Sequence, residues 1–416
     1  TLLHDVTYET VLLKLRRDYH ARTARWLETH AGERISEYAS LIAGHLERAG
    51  QAEKAVSYLR QAGERALNTG AYREALEISR RALGLMPAKD PQRVEAMILM
   101  GQALIFLCEY EDAGQQLEAA LRSAQTTSEP TTCAKALYFL GMMALDQGAS
   151  AQARAYYKRS LAAARQAGDQ ARIARALWGL GWVAIRQGAY APAQEYLAES
   201  RAIFEAVGER QGLAGALAGL SVVAHQGMGD YENAHSLNRQ ALVLAQEIGD
   251  RGRVAMTLIN LGEDSRAMGK YPEAQHYYQE ALDLAQDLGD KLNMVIATAN
   301  LGHVAAALHG DSAAQGYFYE ALRMSNEMST LPITLEILVG LAGVWARTGK
   351  AAQALELLGM ATNHPLLYDE ARPLIEQVLA VLASRFSPQE IEAGLERGRG
   401  QTPENIIKKL LELPSR

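Results

Sequence analysis

Small residues recur along the chain at a fixed period, each set among apolar positions. The alanines that follow successive mid-unit turns are Ala75, Ala113, Ala153, Ala193, Ala234, Ala274, Ala314 and Ala354, spaced by 38, 40, 40, 41, 40, 40 and 40 residues. Ala55, twenty residues before Ala75, adds an irregular earlier step. Around them the phrase Leu140-Gly141…Gly148…Ala153…Tyr157…Ser160 returns as Leu180-Gly181…Gly188…Tyr190…Ala193…Leu197…Ser200. It returns again as Leu261-Gly262…Gly269…Tyr271…Ala274…Tyr278…Ala281. A repeat of this length predicts an all-α solenoid, in which each helix hairpin buries its apolar face against its neighbours.

The recurring glycine in each first helix (Gly63, Gly101, Gly141, Gly181, Gly262, Gly302) costs roughly 1 kcal/mol against alanine inside a helix, so it needs a packing reason. Close approach of two helices supplies one, and the periodic alanine serves it from the other side. Gly168-Asp169, Gly249-Asp250 and Gly289-Asp290 separate units; glycine suits a left-handed helix stop and aspartate caps the next helix. Gly208-Glu209 is the same joint with a weaker cap. Gly188-Ala189-Tyr190, Gly229-Asp230-Tyr231 and Gly269-Lys270-Tyr271 mark turns within units, with the tyrosine packed over the joint. In one unit Ser221 replaces the helix glycine and the following turn comes one residue late, which predicts a local bulge.

Composition changes this picture little. The 416 residues are 48% hydrophobic and 22% charged, as in an ordinary folded chain. A net charge of -6 gives no electrostatic call for nucleic acid. Cys108 and Cys133 lack metal-like spacing and read as small buried hydrophobes in a reducing, cytoplasmic setting. No glycosylation sequon is present, and Thr1 falls within what reads as a helix, as in an excised fragment. The uncharged stretches 211–229 and 292–310 contain His225, Gln226, Asn293 and Asn300 and fall in register with first helices, so no membrane span is expected. Phosphate-loop, His-Glu-x-x-His and Gly-x-Ser-x-Gly motifs are absent, so neither catalysis nor a cofactor is expected.

The pattern resembles the tetratricopeptide repeat, in the 40-residue variant of kinesin light chains, mitotic-spindle adaptors and bacterial signalling ATPases. Ala281-Leu282-Asp283-Leu284-Ala285-Gln286 followed by Asn300-Leu301-Gly302 carries the resemblance well. Two end segments narrow it. Leu2-Leu3-His4-Asp5-Val6-Thr7-Tyr8, with Arg16-Arg17, His20 and Leu27-Glu28, resembles the segment that follows the ATPase and winged-helix portion of bacterial STAND-type ATPases and large transcription regulators. Ala43-Gly44-His45-Leu46 onward resembles the first helices of their sensor region. Leu357-Leu358-Gly359-Met360-Ala361 and Glu396-Arg397-Gly398 resemble its C-terminal close. The resemblance implies a right-handed superhelical solenoid with a helical cap over 1–50, a repeat array over 51–361 and a second cap over 362–416.

It also implies that first helices line a concave surface. With Gly141 or its equivalent as position eight, that surface takes Tyr138, Met142 and Asp146; Trp178, Trp182 and Arg186; His225; Asn260, Glu263 and Arg266; and Asn300 and His303. Trp178 and Trp182 share one helix face and offer either an aromatic floor or, for one of them, a core contact. Asn260 and Asn300 occupy equivalent places and suit an extended peptide backbone, since an amide both donates and accepts; capping contacts between units are the alternative. Glu263 and Arg266, at i and i+3, could also be a surface pair, and His225 and His303 read first as structural residues. The functional expectation is a sensor that binds a peptide, protein or small effector and controls an upstream ATPase in cis. A constitutive scaffold without switching and a simple spacer are the alternatives.

Overall fold

The structure, a computed structural model, describes residues 12–328, 330–367 and 371–412. The Leu2–Tyr8 motif lies outside the described residues. Helices and their connections account for the described chain, and no strand occurs in it. The chain divides into two compact units, Thr1–Gly219 and Leu220–Arg416.

The first unit opens with α1 (Leu13–His30) and α2 (Ile35–Arg48). Four hairpins follow: α3 (Ala52–Asn68) with α4 (Tyr72–Leu85), α5 (Arg93–Phe106) with α6 (Tyr110–Thr126), α7 (Pro130–Asp146) with α8 (Ser150–Ala167), and α9 (Gln170–Arg186) with α10 (Tyr190–Val207). The division between units falls within α11 (Arg210–Val222). The second unit holds a π-helical turn (Val223–Met228), α12 (Tyr231–Glu247), and the hairpins α13 (Arg251–Ala267) with α14 (Tyr271–Leu288) and α15 (Lys291–Leu308) with α16 (Asp311–Met328). It closes with α17 (Leu331–Arg347), α18 (Ala351–Thr362), α19 (Arg372–Ala383), α20 (Pro388–Arg399) and α21 (Pro403–Glu412).

The small-residue pattern works as a socket for one large side chain per hairpin. Tyr157 of α8 is fully buried, and a Cβ at Gly141 or Gly179 would come within 2.8 or 2.4 Å of its ring. Leu197 fills the same place between Gly181 and Gly219, and Phe318 between Gly302 and Gly340. Thus each second-helix side chain is gripped by the first helix of its own hairpin and by that of the next. Every alanine of the periodic series from Ala75 to Ala354 is completely buried.

Hairpin stacking sets which helices line which side. In the first unit α3 meets α5, α5 meets α7 and α7 meets α9; in the second, α13 meets α15 and α15 meets α17. Second helices of successive hairpins make at most marginal contact among the described residues. Within each unit the first helices therefore form a close inner layer, and the second helices splay outside it.

Helix ends follow the predicted chemistry. Gly168, Gly208, Gly249 and Gly289 adopt φ between 66° and 71°. The Asp169, Asp250 and Asp290 carboxylates each accept the backbone N–H three residues on, at 3.0–3.1 Å. Glu209 does the same for Gly212 at 3.1 Å. The bulge predicted after Ser221 is the π-helical turn, which absorbs the one extra residue of the 41-residue spacing.

The two cysteines are not both buried. Cys108 is exposed and Cys133 half-buried. Cys108 occupies the turn position held by Gly148 one unit later and, like that glycine, has positive φ (61°). A left-handed stop at the end of a helix projects its side chain to solvent, so the apolar neighbours in sequence gave the wrong environment. No helix of the described residues is long and apolar enough to cross a membrane.

Candidate functional site

In the first unit, the inner layer brings Tyr138, Met142 and Asp146 of α7 beside Trp178, Trp182 and Arg186 of α9. The rings of Trp178 and Trp182 meet edge to face, with centroids 6.0 Å apart. Trp178 also packs against the core formed by Ala174, Phe204 and Ala216, so one of the pair is anchored from behind. Both indole Nε1–H groups are buried without a hydrogen-bond partner. An indole nitrogen can only donate, and leaving such a donor buried and unpaired costs about 1–3 kcal/mol. Tyr138 packs at 5.3 Å from Phe139 and 5.7 Å from Tyr157, next to Met142. Burial raises the carboxyl of Asp146 above its ordinary range, with Arg186 pulling the other way.

Because Trp178 both packs on the core and faces Trp182, the two rings should separate on mutation. Trp178→Ala is expected to cost about 3 kcal/mol or more, as for buried aromatics, whereas Trp182→Ala costs distinctly less. Urea unfolding of the two variants reads the difference.

In the second unit, the π-helical turn presents His225 to α13. His225 Nδ1 lies 2.7 Å from Asp264 Oδ1, and Asn238 Nδ2 donates to Asp264 Oδ2 at 2.8 Å. Ser221 Oγ in turn donates to Asn238 Oδ1 at 2.8 Å. Asp264 and Asn238 are each 1% exposed. Sequence reasoning missed this network. Its signal was the serine in place of glycine opposite Asn238, which stands where neighbouring hairpins carry Tyr157, Leu197 or Tyr278.

Glu263, next to Asp264, points to a different face. It joins Asn260, Arg266, Asn300 and His303 on the first helices α13 and α15. Asn300 Nδ2 donates to Glu263 Oε1 at 3.4 Å, a long bond. Burial raises the Glu263 carboxyl, and Arg266, His225 and the Asn300 amide oppose it incompletely. Burial also works against the Arg266 charge, but the Tyr278 oxygen and Glu263 outweigh it, so the guanidinium stays protonated. Glu263 and Arg266 do not form the surface ion pair that their spacing allows.

His303 packs edge to face on Phe318 at 4.9 Å. Burial, with Arg266 and Arg347 nearby, holds its pKa at about 3, so it is neutral at pH 7. The sign for stability follows directly. Between pH 6.5 and about 3 the unfolded chain carries a proton on this residue that the folded protein refuses, so stability falls as pH drops through that window. His303→Phe should flatten the decline of unfolding free energy between pH 7 and 4, measured by urea titration at each pH.

Antiparallel hairpins of this length, with paired small residues at the crossing and a shared inner layer of first helices, define the helix-hairpin repeat class. A sequence model of the tetratricopeptide repeat matches residues 132–206, 212–287 and 253–327. The chain therefore carries tetratricopeptide repeats over those residues. No curated protein gives a significant sequence match. Among solved structures, a Rap protein complexed with Competence and Sporulation Factor is similar at 15% identity and a TM-score of 0.63, covering 88% of this chain and 100% of its own. A signal transduction ATPase with numerous domains and a tetratricopeptide repeat sensor, from Pyrococcus horikoshii, is similar at 16% identity and a TM-score of 0.58. It covers 89% of this chain, which spans 54% of that protein. NprR in complex with its cognate peptide NprX is similar at 14% identity and a TM-score of 0.53, covering 79% of this chain and 98% of its own. At these identities the likeness is one of fold.

Proposed function

We propose that this chain is the effector-binding sensor of a multidomain STAND-type ATPase, and that peptides or proteins dock on the inner layer of first helices. The observation that carries the reading is the pair Trp178 and Trp182, whose half-buried rings meet edge to face on the first helix α9. Aromatic side chains anchor interfaces out of proportion to their number. Tyr138, Met142, Asp146 and Arg186 extend this face in the first unit. In the second unit Asn260 and Asn300 suit a peptide backbone, with Glu263, Arg266, His225 and His303 around them. The Rap and NprR complexes and the archaeal ATPase with its repeat sensor agree with this reading in fold.

Control of an attached ATPase requires that the effector bind the active arrangement more tightly than the resting one. Titrating effector onto the protein joined to its ATPase, and following oligomer size and nucleotide turnover, tests this. A change in both at saturation supports the sensor. Saturation with neither changed leaves a constitutive scaffold.

A further inference from the structure

We infer that the seam between the α3–α4 hairpin and α5 is a site for a small, branched, uncharged molecule, whose apolar end takes the place of a side chain that this hairpin lacks. The site lies within the first unit and does not depend on peptide binding by the inner layer.

In the other hairpins of the first unit, the gripped side chain stands sixteen residues after the first-helix glycine: Leu117 after Gly101, Tyr157 after Gly141 and Leu197 after Gly181. Each is completely buried, and a Cβ on its glycine would come within 2.6–2.8 Å of it. The same count from Gly63 ends on Ser79, which is too short to fill that place. Its hydroxyl turns back and donates to the Ala75 backbone oxygen at 2.8 Å. A Cβ at Gly63 would meet nothing nearer than Ile78 at 3.5 Å and Leu99 at 3.8 Å, ordinary contact distances. Glycine within a helix is unfavourable against alanine, and here no gripped side chain accounts for it. What it preserves is room.

A cavity of about 100 Å³ lies beside Ser79, whereas packed interiors leave few voids larger than a water molecule. Its walls include Val56, Leu59, Ala82, Ala96 and Leu99, each at most 6% exposed. Water needs two to four polar partners to settle in a cavity, and these side chains offer none. The space is smaller than the apolar cavity of about 150 Å³ that takes benzene. That size, and the leucines in the equivalent place at Leu117 and Leu197, point to a branched chain of about four or five carbons. The rim sets the other end. Arg60 and Gln92 line it and are exposed, so the cavity is reached from solvent. Its charges are already matched, Arg60 with Glu64 at 3.1 Å and Glu95 with Lys135. An ionised ligand would be desolvated without a counter-charge, whereas a hydroxyl can donate and accept among Ser79, Gln92 and Glu95. An occupant held only while the hairpins are stacked also resists their separation, so binding here would fasten α3–α4 to α5.

The test titrates 3-methylbutan-1-ol onto the full chain and follows isotope-labelled Val and Leu methyl groups by NMR. The ions 3-methylbutanoate and 3-methylbutylammonium serve as charged comparisons of the same shape. The expected result is saturable shifts at the Val56, Leu59 and Leu99 methyls with a dissociation constant of about 1 mM, and about ten-fold weaker binding or less of both ions. Ser79→Leu, which puts the missing side chain back, should abolish the shifts, and Ala82→Val should weaken binding about ten-fold. Both are checked for unchanged helicity. Ser79→Ala keeps the space and should bind about as the parent does. Shifts that never saturate, or that fall equally on Leu335 and Leu382 of the second unit, overturn the site. Binding undiminished in both filling variants does the same. Equal binding of either ion overturns the assignment of an uncharged ligand.

Discussion

Gly398→Ala is expected to cost about 3 kcal/mol or more and to unfold the C-terminal helices before the rest of the chain. Adding a methyl group to a packed site ordinarily costs about 1–3 kcal/mol, because neighbouring side chains can shift. Here they cannot. A Cβ at Gly398 of α20 would sit 2.2 Å from the backbone oxygen of Glu356 in α18, and one at Gly359 of α18 would sit 2.0 Å from the backbone oxygen of Leu395. Each glycine thus faces the main chain of the other helix, and relief requires the two helices to part. Gly394, whose Cβ would meet the Leu355 side chain at 2.6 Å, tightens the same crossing. Parting α18 from α20 exposes Leu355, Leu358 and their neighbours in the core that also holds Ile406, Ile407 and Leu410 of α21. Gly316→Ala serves as the control: it lies in α16 with open space around it and should gain about 0.5–1 kcal/mol from helix propensity. Hydrogen exchange resolved by segment reads both outcomes, since unfolding in repeat arrays need not be all-or-none.

Asp264→Ala is expected to cost about 3–5 kcal/mol, the range for removing one partner of a buried charged network. An ionised carboxylate only accepts, so His225 Nδ1 carries its proton toward Asp264, and the Asn238 amide donates to the other oxygen. Removal of the carboxylate strands both donors at a site that is 1% exposed. Asp264→Asn retains one acceptor and should cost less, about 1–3 kcal/mol. The loss should appear in urea unfolding, with the π-helical turn Val223–Met228 losing exchange protection first, because His225 ties it to α13.

The repeat was legible because its physics is local. Close helix crossing demands glycine and alanine at fixed intervals, and left-handed stops demand glycine followed by a cap. Even the defect was legible: Ser221 and one extra residue announced the π-helical turn. Cys108 was misplaced for the converse reason. Its apolar neighbours suggested burial, whereas its place forty residues before Gly148 put it at a left-handed stop. The candidate site was only half legible. Helical periodicity placed Trp178 and Trp182 on one face, but that Trp178 is the ring held depends on Phe204 of the second helix of its hairpin and on Ala216 of the helix that follows. Likewise Glu263 and Arg266 had the spacing of a surface pair. Their burial beside Tyr278 and Asn300 arises from stacking, which no local pattern encodes.

The most direct measurement selects peptides from a random pentapeptide pool by retention on the full chain and compares their binding across two groups of variants of the full chain. One group alters first helices (Trp182→Ala, Asn260→Ala, Asn300→Ala). The other alters exposed positions on second helices (Glu195→Ala in α10, Asp283→Ala in α14). The account predicts that first-helix variants weaken binding about ten-fold or more, while second-helix variants bind as the parent does. Binding lost from the second-helix group and retained by the first would contradict it.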